Sequence, residues 1–236
     1  MKPYQQIPIK DCGDPLVPIP AEEFSLLDPP PYAVLGAPYG NASPYSLRSE
    51  VLGKLIQAQR KLQHQRPGWR IQVFDAFRPV AVQQFMVDHT FQELVRAKGL
   101  EENHLTREQQ QQVLEQVLQF WAIPSGNPTT PPPHSTGAAL DITLVDDQGA
   151  AVDMGSPIDE VSPRSFPNHF AESTAPHQQQ VHLHRRLLYE VMTAVGFRQH
   201  PNEWWHFSLG DQLWAWLVRQ ETGSSEVIAR YGGICG

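Results

Sequence analysis

Three short stretches of this chain carry residue types that could hold a cation and split a bond. In His134-Ser-Thr-Gly137-Ala-Ala-Leu-Asp141, an imidazole and a carboxylate flank a glycine. Imidazole nitrogen and carboxylate oxygen both bind zinc at about 2.0–2.2 Å, and Gly137 would let the backbone turn so that His134 and Asp141 converge on one ion. Glu203-Trp204-Trp205-His206 offers a third ligand in His206. That set leaves a fourth position open to water, the pattern of catalytic zinc, with Glu203 as general base. Phe74-Asp75-Ala76-Phe77-Arg78-Pro79 places a guanidinium, fixed by the proline, where it could stabilise an oxyanion or hold a carboxylate. Asp75, counted with the substrate-binding residues, could orient Arg78 or neighbouring backbone. Each stretch also has a plain structural reading. His134 would cap a loop while Asp141 pairs with an arginine; Glu203 would lie at the surface beside an aromatic core of Trp204, Trp205 and His206; Arg78 and Asp75 would pin a turn.

The elements that must bring these side chains together follow from periodicity. Residues 70–75 alternate like a strand that stops at Arg78-Pro79. Residues 138–145 read as another strand, in which Asp141 shares the face of Ala139, Thr143 and Val145, opposite Leu140, Ile142 and Leu144. A carboxylate among apolar neighbours needs a partner, because an unpaired buried charge is costly. Residues 203–209 are strand-like too, but positions three apart on a regular strand face opposite ways. Glu203 can join His206 only from the irregular approach to that strand, where Pro201-Asn202 can re-aim it.

Helical faces are carried by Leu47, Val51, Leu52, Leu55, Ile56 and Leu62, ending at Pro67-Gly68, and by Val82, Phe85, Met86, Leu94 and Val95, with Gly99 at C′. A capping box opens a third helix at Thr106, with Val113, Leu114, Val117, Leu118 and Trp121 facing inward. A fourth spans about 178–195, ended by Gly196, and a short aromatic helix is expected around Trp214 and Trp216. Residues 155–177 have no period and read as a long functional or insertion loop. Residues 1–45, rich in Pro, Gly and Tyr, are expected to form an arm packed on the domain outside its regular core, with residues 46–236 as the catalytic domain. The irregular alternation of helices and strands predicts a single α+β domain with a mainly antiparallel central sheet flanked by helices.

With 236 residues the chain can bury a core without disulfides. The 18 Lys+Arg against 25 Asp+Glu give a net charge of −7, which argues against a nucleic-acid binder. No apolar run is long enough for a membrane span. The start MKPYQQIPIKDCGD lacks an apolar signal core, so a cytoplasmic location is expected. Cys12 and Cys235 stand far from any metal-ligand spacing and are read as two free thiols. Any metal must therefore be held by carboxylates and some of the ten histidines.

Taken together, the motifs resemble the D-Ala-D-Ala metallopeptidase family, which includes zinc D-alanyl-D-alanine dipeptidases and peptidoglycan D,D-carboxypeptidases. The family's D-G-Y-R-P stands here as Asp75-Ala-Phe77-Arg78-Pro79, its H-x-x-G-x-A-x-D as His134 to Asp141, and its E-W-W-H unaltered as Glu203 to His206. Met154-Gly-Ser-Pro-Ile158-Asp159 is similar to the dipeptidase branch's M-G-[ST]-x-F-D, and an R-x-x-L-x-x-x-M-x-x-x-G-F pattern runs from Arg185 to Phe197. The resemblance covers about residues 47–210.

It implies a Hedgehog-like fold and one Zn2+ per chain on His134, Asp141 and His206. It further implies Glu203 as catalytic base, Arg78 as stabiliser of the tetrahedral transition state, and Asp159 as the residue that binds the amino group of a D-Ala-D-Ala dipeptide. The alternatives are a D,D-carboxypeptidase or endopeptidase acting on peptidoglycan stems, and a non-catalytic binding module that keeps zinc as structure. One departure bears on substrate: the dipeptidases carry Ser two residues before the first ligand, where this chain has Pro132. Tyr39 and Tyr45 do not obviously match the family's N-terminal tyrosine motif.

Overall fold

A computed structural model describes residues 2–234. Its strands are β1 (Leu16–Pro18), β2 (Ser25–Leu26), β3 (Ser46–Arg48), β4 (Arg70–Asp75), β5 (Ala139–Val145), β6 (Arg198–Gln199) and β7 (His206–Ser208). Its helices are α1 (Pro31–Val34), α2 (Ser49–Gln65), α3 (Val80–Ala97), α4 (Arg107–Phe120), α5 (Pro176–Thr193) and α6 (Gln212–Thr222). Five strands form the central sheet in the order β2-β4-β5-β7-β6, antiparallel at every contact except β2 with β4. β1 pairs separately with β3. The architecture is the α+β arrangement expected from the sequence.

The alternation of β5 decides what lies on each face. Leu140, Ile142 and Leu144 point into a core shared with Val51, Leu55 and Leu62 of α2 and Leu188 and Val191 of α5. Asp141 faces the other way, and its neighbours Ala139 and Val145 are buried as well. A second apolar cluster joins α3 and α4 through Val82, Met86, Val117 and Trp121. Thr106 caps α4 as its sequence requires, its hydroxyl accepting from the Gln109 amide while the Gln109 side chain reaches back. Two residues depart from the expected faces: Leu47 lies on β3 rather than on α2, and Leu114 is exposed. The seam of α4 is the narrower one of Val113 and Val117.

The arm does not stay outside the regular core. β2 zips onto the edge of β4, Ile19 and Phe24 enter the main core, and Tyr32 of α1 packs edge-on to Phe74 with ring centroids 5.5 Å apart. Proline-rich sequence hid this, because proline excludes long ladders but not a two-residue edge strand. Further upstream, Lys10 and Cys12 donate backbone hydrogen bonds to Ala229 and Arg230, tying the arm to the tail. Cys12 is an exposed free thiol, and Cys235 lies outside the described residues. Residues 155–177 form a long loop interrupted by one 3₁₀ turn at Pro163–Ser165. Among the described residues, no helix is long and apolar enough to cross a membrane.

Candidate metal centre and active site

The sheet register brings the chemistry together. Asp141 on β5 is paired with Asp75 on one side and with His206 on the other, so three strands contribute one row of polar side chains. His134 arrives from the 3₁₀ turn Pro133–Thr136 that feeds β5. That turn closes at Gly137 with φ +71°, where a Cβ would stand 2.7 Å from Leu16 Cδ1. The positive φ is what favours glycine there, since the Leu16 methyl is the far end of a flexible side chain. The result is a buried trio: His134 Nε2 lies 3.1 Å from His206 Nδ1 and 3.3 Å from Asp141 Oδ2, and His206 Nδ1 lies 3.1 Å from Asp141 Oδ1.

The surroundings of the two rings show what this arrangement is built for. His134 Nδ1 faces the Ala76 carbonyl at 2.7 Å, which can only accept, so that nitrogen carries the proton. His206 Nε2 faces Ser208 Oγ at 3.3 Å, whose own hydroxyl donates to Asp211 at 2.8 Å, so that nitrogen carries the proton too. Burial lowers the pKa of His206, which favours the neutral ring. Two imidazole lone pairs and a carboxylate thus point at one place. Without a positive charge between them they would repel, and two imidazoles with one carboxylate suit zinc. The donor set fits the metal.

Glu203 stands just before β7, in the irregular turn its sequence position demanded. Its Oε2 is 3.8 Å from His206 Nδ1 and its Oε1 is 3.4 Å from His200 Nδ1. Oε1 is buried with no hydrogen-bond partner. Burial first, and then the charges of Asp141 and Asp159, push its pKa well above the ordinary carboxyl range. A buried, unpartnered carboxyl beside the trio is the kind of perturbed group that active sites contain.

Arg78 is clasped on several sides. It donates from Nε to Asp75 (2.9 Å), through its terminal nitrogens to Gln83 (3.0 Å) and Tyr32 Oη (3.3 Å), and to Asp141 of the trio (3.0 Å). Its guanidinium also stacks near the rings of Tyr32 and Trp121. Arg78, Asp159 and Glu203 line one cleft with the trio. Asp75 does not line it. Buried at 1% exposure, Asp75 accepts from Arg78 and from Tyr39 Oη (2.6 Å), so it orients Arg78 and has no route to a substrate.

Asp159 is the one non-glycine described residue with positive φ, at +67°, and its carboxylate accepts from Tyr32 Oη at 2.8 Å. Burial, followed by the charge of Asp141, raises its pKa to about 7.

Several supporting residues escaped the sequence reading. Tyr32, in the arm, bridges Arg78 and Asp159 across the cleft wall. Arg185 of α5 organises the loop on both sides of Asp159, donating to the carbonyls of Met154, Phe166 and Arg164 and to Ser156 Oγ. Ser156 Oγ in turn accepts from the Trp204 indole at 2.9 Å. Ser208 and Asp211 stand behind His206. Only Arg185 left a signal, as the first position of the pattern that ends at Phe197; the others are joined to the site by contacts remote in sequence.

Comparison with known proteins agrees with the geometry. The model of the D-ala-D-ala dipeptidase family (peptidase M15) matches residues 26–225. A D-alanyl-D-alanine dipeptidase of Synechocystis sp. is 53% identical over 99% of this chain and 97% of its own. One from Enterococcus faecalis is 31% identical over 61% of this chain and 64% of its own. The solved zinc-bound vancomycin-resistance D,D-pentapeptidase VanY aligns over 87% of this chain and 89% of its own, at 17% identity and a TM-score of 0.46, a likeness too distant to speak for this chain. On the strength of the near full-length match, this chain belongs to the D-Ala-D-Ala dipeptidase family of peptidases.

Proposed function

We propose that this protein is a zinc-dependent dipeptidase that hydrolyses D-alanyl-D-alanine to two D-alanines in cell-wall peptide metabolism. The observation that carries the reading is the shared cleft: the trio, the unpartnered Glu203 and the half-buried Asp159 all face it. His134, Asp141 and His206 would hold the ion. Bound there, zinc supplies Lewis acidity, polarising the scissile carbonyl and acidifying water.

The chain's own residues do the rest. Glu203 takes a proton from the attacking water and delivers it to the departing amine, so that C–N cleavage yields a carboxylate and a free amine. A dication held by the neighbouring trio would favour the ionised form of Glu203 that a base requires. Arg78 bonds to four acceptors and keeps one of its five N–H groups for the developing oxyanion. Asp159 receives the dipeptide's ammonium, an interaction that a stem peptide extended at its amino end could not make. That favours a free dipeptide over peptidoglycan stems.

The test is metal analysis of purified protein, followed by D-Ala-D-Ala hydrolysis with and without chelator. Stoichiometric zinc and chelator-sensitive turnover are expected. Faster cleavage of a stem pentapeptide than of the dipeptide would move the assignment to a D,D-carboxypeptidase. Zinc-loaded protein inert on every D,D-peptide would make it a binding module.

A further inference from the structure

A dipeptide carries two charges, and the site described so far answers only one of them. Asp159 sits among Asp141, Arg78 and Asp75 and would take the ammonium. The carboxylate needs a donor-rich partner, and Arg78 has a single N–H left for the reacting carbonyl. Pro132, beside the first ligand, offers neither a hydroxyl nor an amide hydrogen.

The arm fills this gap. Lys2 and Tyr4 both line the cleft that holds the trio and Glu203. The Lys2 ammonium donates to the Leu118 carbonyl and makes no ion pair among the described residues. An ammonium has three donors, so two remain. Tyr4 is 6% exposed, and its hydroxyl has no hydrogen-bond partner among the described residues. The segment is not draped loosely. It forms the 3₁₀ turn Pro3–Gln6 against α6, and the buried Gln212 amide pins it by donating to the Ile7 carbonyl at 2.7 Å and the Thr129 carbonyl at 3.0 Å. The Lys2 ammonium is held at the Leu118 carbonyl and the Asp159 carboxylate at the Tyr32 hydroxyl, so two opposite charges are anchored on different elements of the lining of one cleft, as a zwitterion requires.

We propose that Lys2 and Tyr4 of the N-terminal arm bind the C-terminal carboxylate of the dipeptide, making the arm a determinant of specificity for substrates with a free carboxyl end. This rests on the dipeptidase reading. Ammonium and phenol hydroxyl together give the carboxylate two charge-assisted hydrogen bonds.

The test compares D-Ala-D-Ala with its C-terminal amide on zinc-loaded wild type, Lys2→Met, Lys2→Arg and Tyr4→Phe. Lys2 is at the edge of the fold, so its replacement leaves folding intact even if Tyr4→Phe does not. Lys2→Met should raise KM for the acid by about tenfold or more while leaving the amide unchanged, and Lys2→Arg should recover part of the loss. Equal losses on acid and amide would assign Lys2 to Glu203 instead and overturn the proposal. Calorimetry on the zinc-loaded Glu203→Gln background reads dipeptide binding without turnover. Binding weakened by Lys2→Met, with zinc-loaded wild type that never hydrolyses the dipeptide, would refute the hydrolytic reading alone. Binding indifferent to Lys2 would refute the anchor alone, and no binding in any form would refute both.

Discussion

Glu203 combines burial, a free oxygen and proximity to His206, and each property bears on a measurable role. Glu203→Ala should lower kcat by about 10²–10⁴-fold while metal analysis still finds one zinc per chain, because Glu203 is outside the trio. Arg78→Ala should act mainly on kcat, since its charge matters most once the oxyanion forms. Asp159 gives a pH prediction. With a pKa of about 7, it is protonated below that pH and cannot pair with an ammonium. The kcat/KM profile should therefore fall on the acid side around pH 7, and Asp159→Asn should remove that limb at the cost of a raised KM. For stability the sign is reversed: the folded state keeps a proton that an unfolded aspartate loses near ~3.9. That contribution is present at low pH and is lost as pH rises through about 7. His134, Asp141, Glu203 and His206 were marked out by residue type and spacing, but it was the resemblance to the metallopeptidases that favoured their metal reading over the plain structural one. Tyr32 was not, for its bond to Asp159 joins residues 127 positions apart, and nothing local marks it.

At the level of elements, two positions hold the site in shape. Gly137 lets the turn carrying His134 run straight into β5. Gly137→Ala meets both a positive φ and a Cβ 2.7 Å from Leu16 Cδ1, so it should cost about 1–2 kcal/mol and lower Tm in thermal denaturation. Arg185 satisfies three carbonyls of the loop that carries Asp159, on both sides of it. Arg185→Ala should leave them unpaired, lower stability and raise KM more than it lowers kcat, because the ammonium site is displaced while the trio is not. The strands and helices themselves were readable where a period ran long enough, as in β4, β5 and α2. The irregular approach to β7 was readable for a different reason: Glu203 and His206 could share a function on no regular strand. The two-residue strand β2 was not readable, since no period can be counted over two residues.

For the whole molecule, the metal and the fold should stabilise each other. Chelation should abolish activity and lower Tm, because an ion that binds only the assembled trio favours the native state. Ser208→Ala, which removes the acceptor fixing the His206 tautomer, should weaken zinc binding about 10–100-fold, read by competition with a metal indicator. The α+β class followed from the sequence of periods, but the involvement of the arm did not, because its burial depends on partners at β4, α6 and the tail.

Asp75, Asp141 and His206 occupy a single rung across β4, β5 and β7. Strand side chains alternate faces, so a slip of one residue would turn the carboxylate into the opposite layer. Misaligned intermediates therefore have no weaker version of the centre. Affinity for the ion is absent until the ladder zips in its correct frame, which makes metal uptake a late, all-or-none reporter of correct folding.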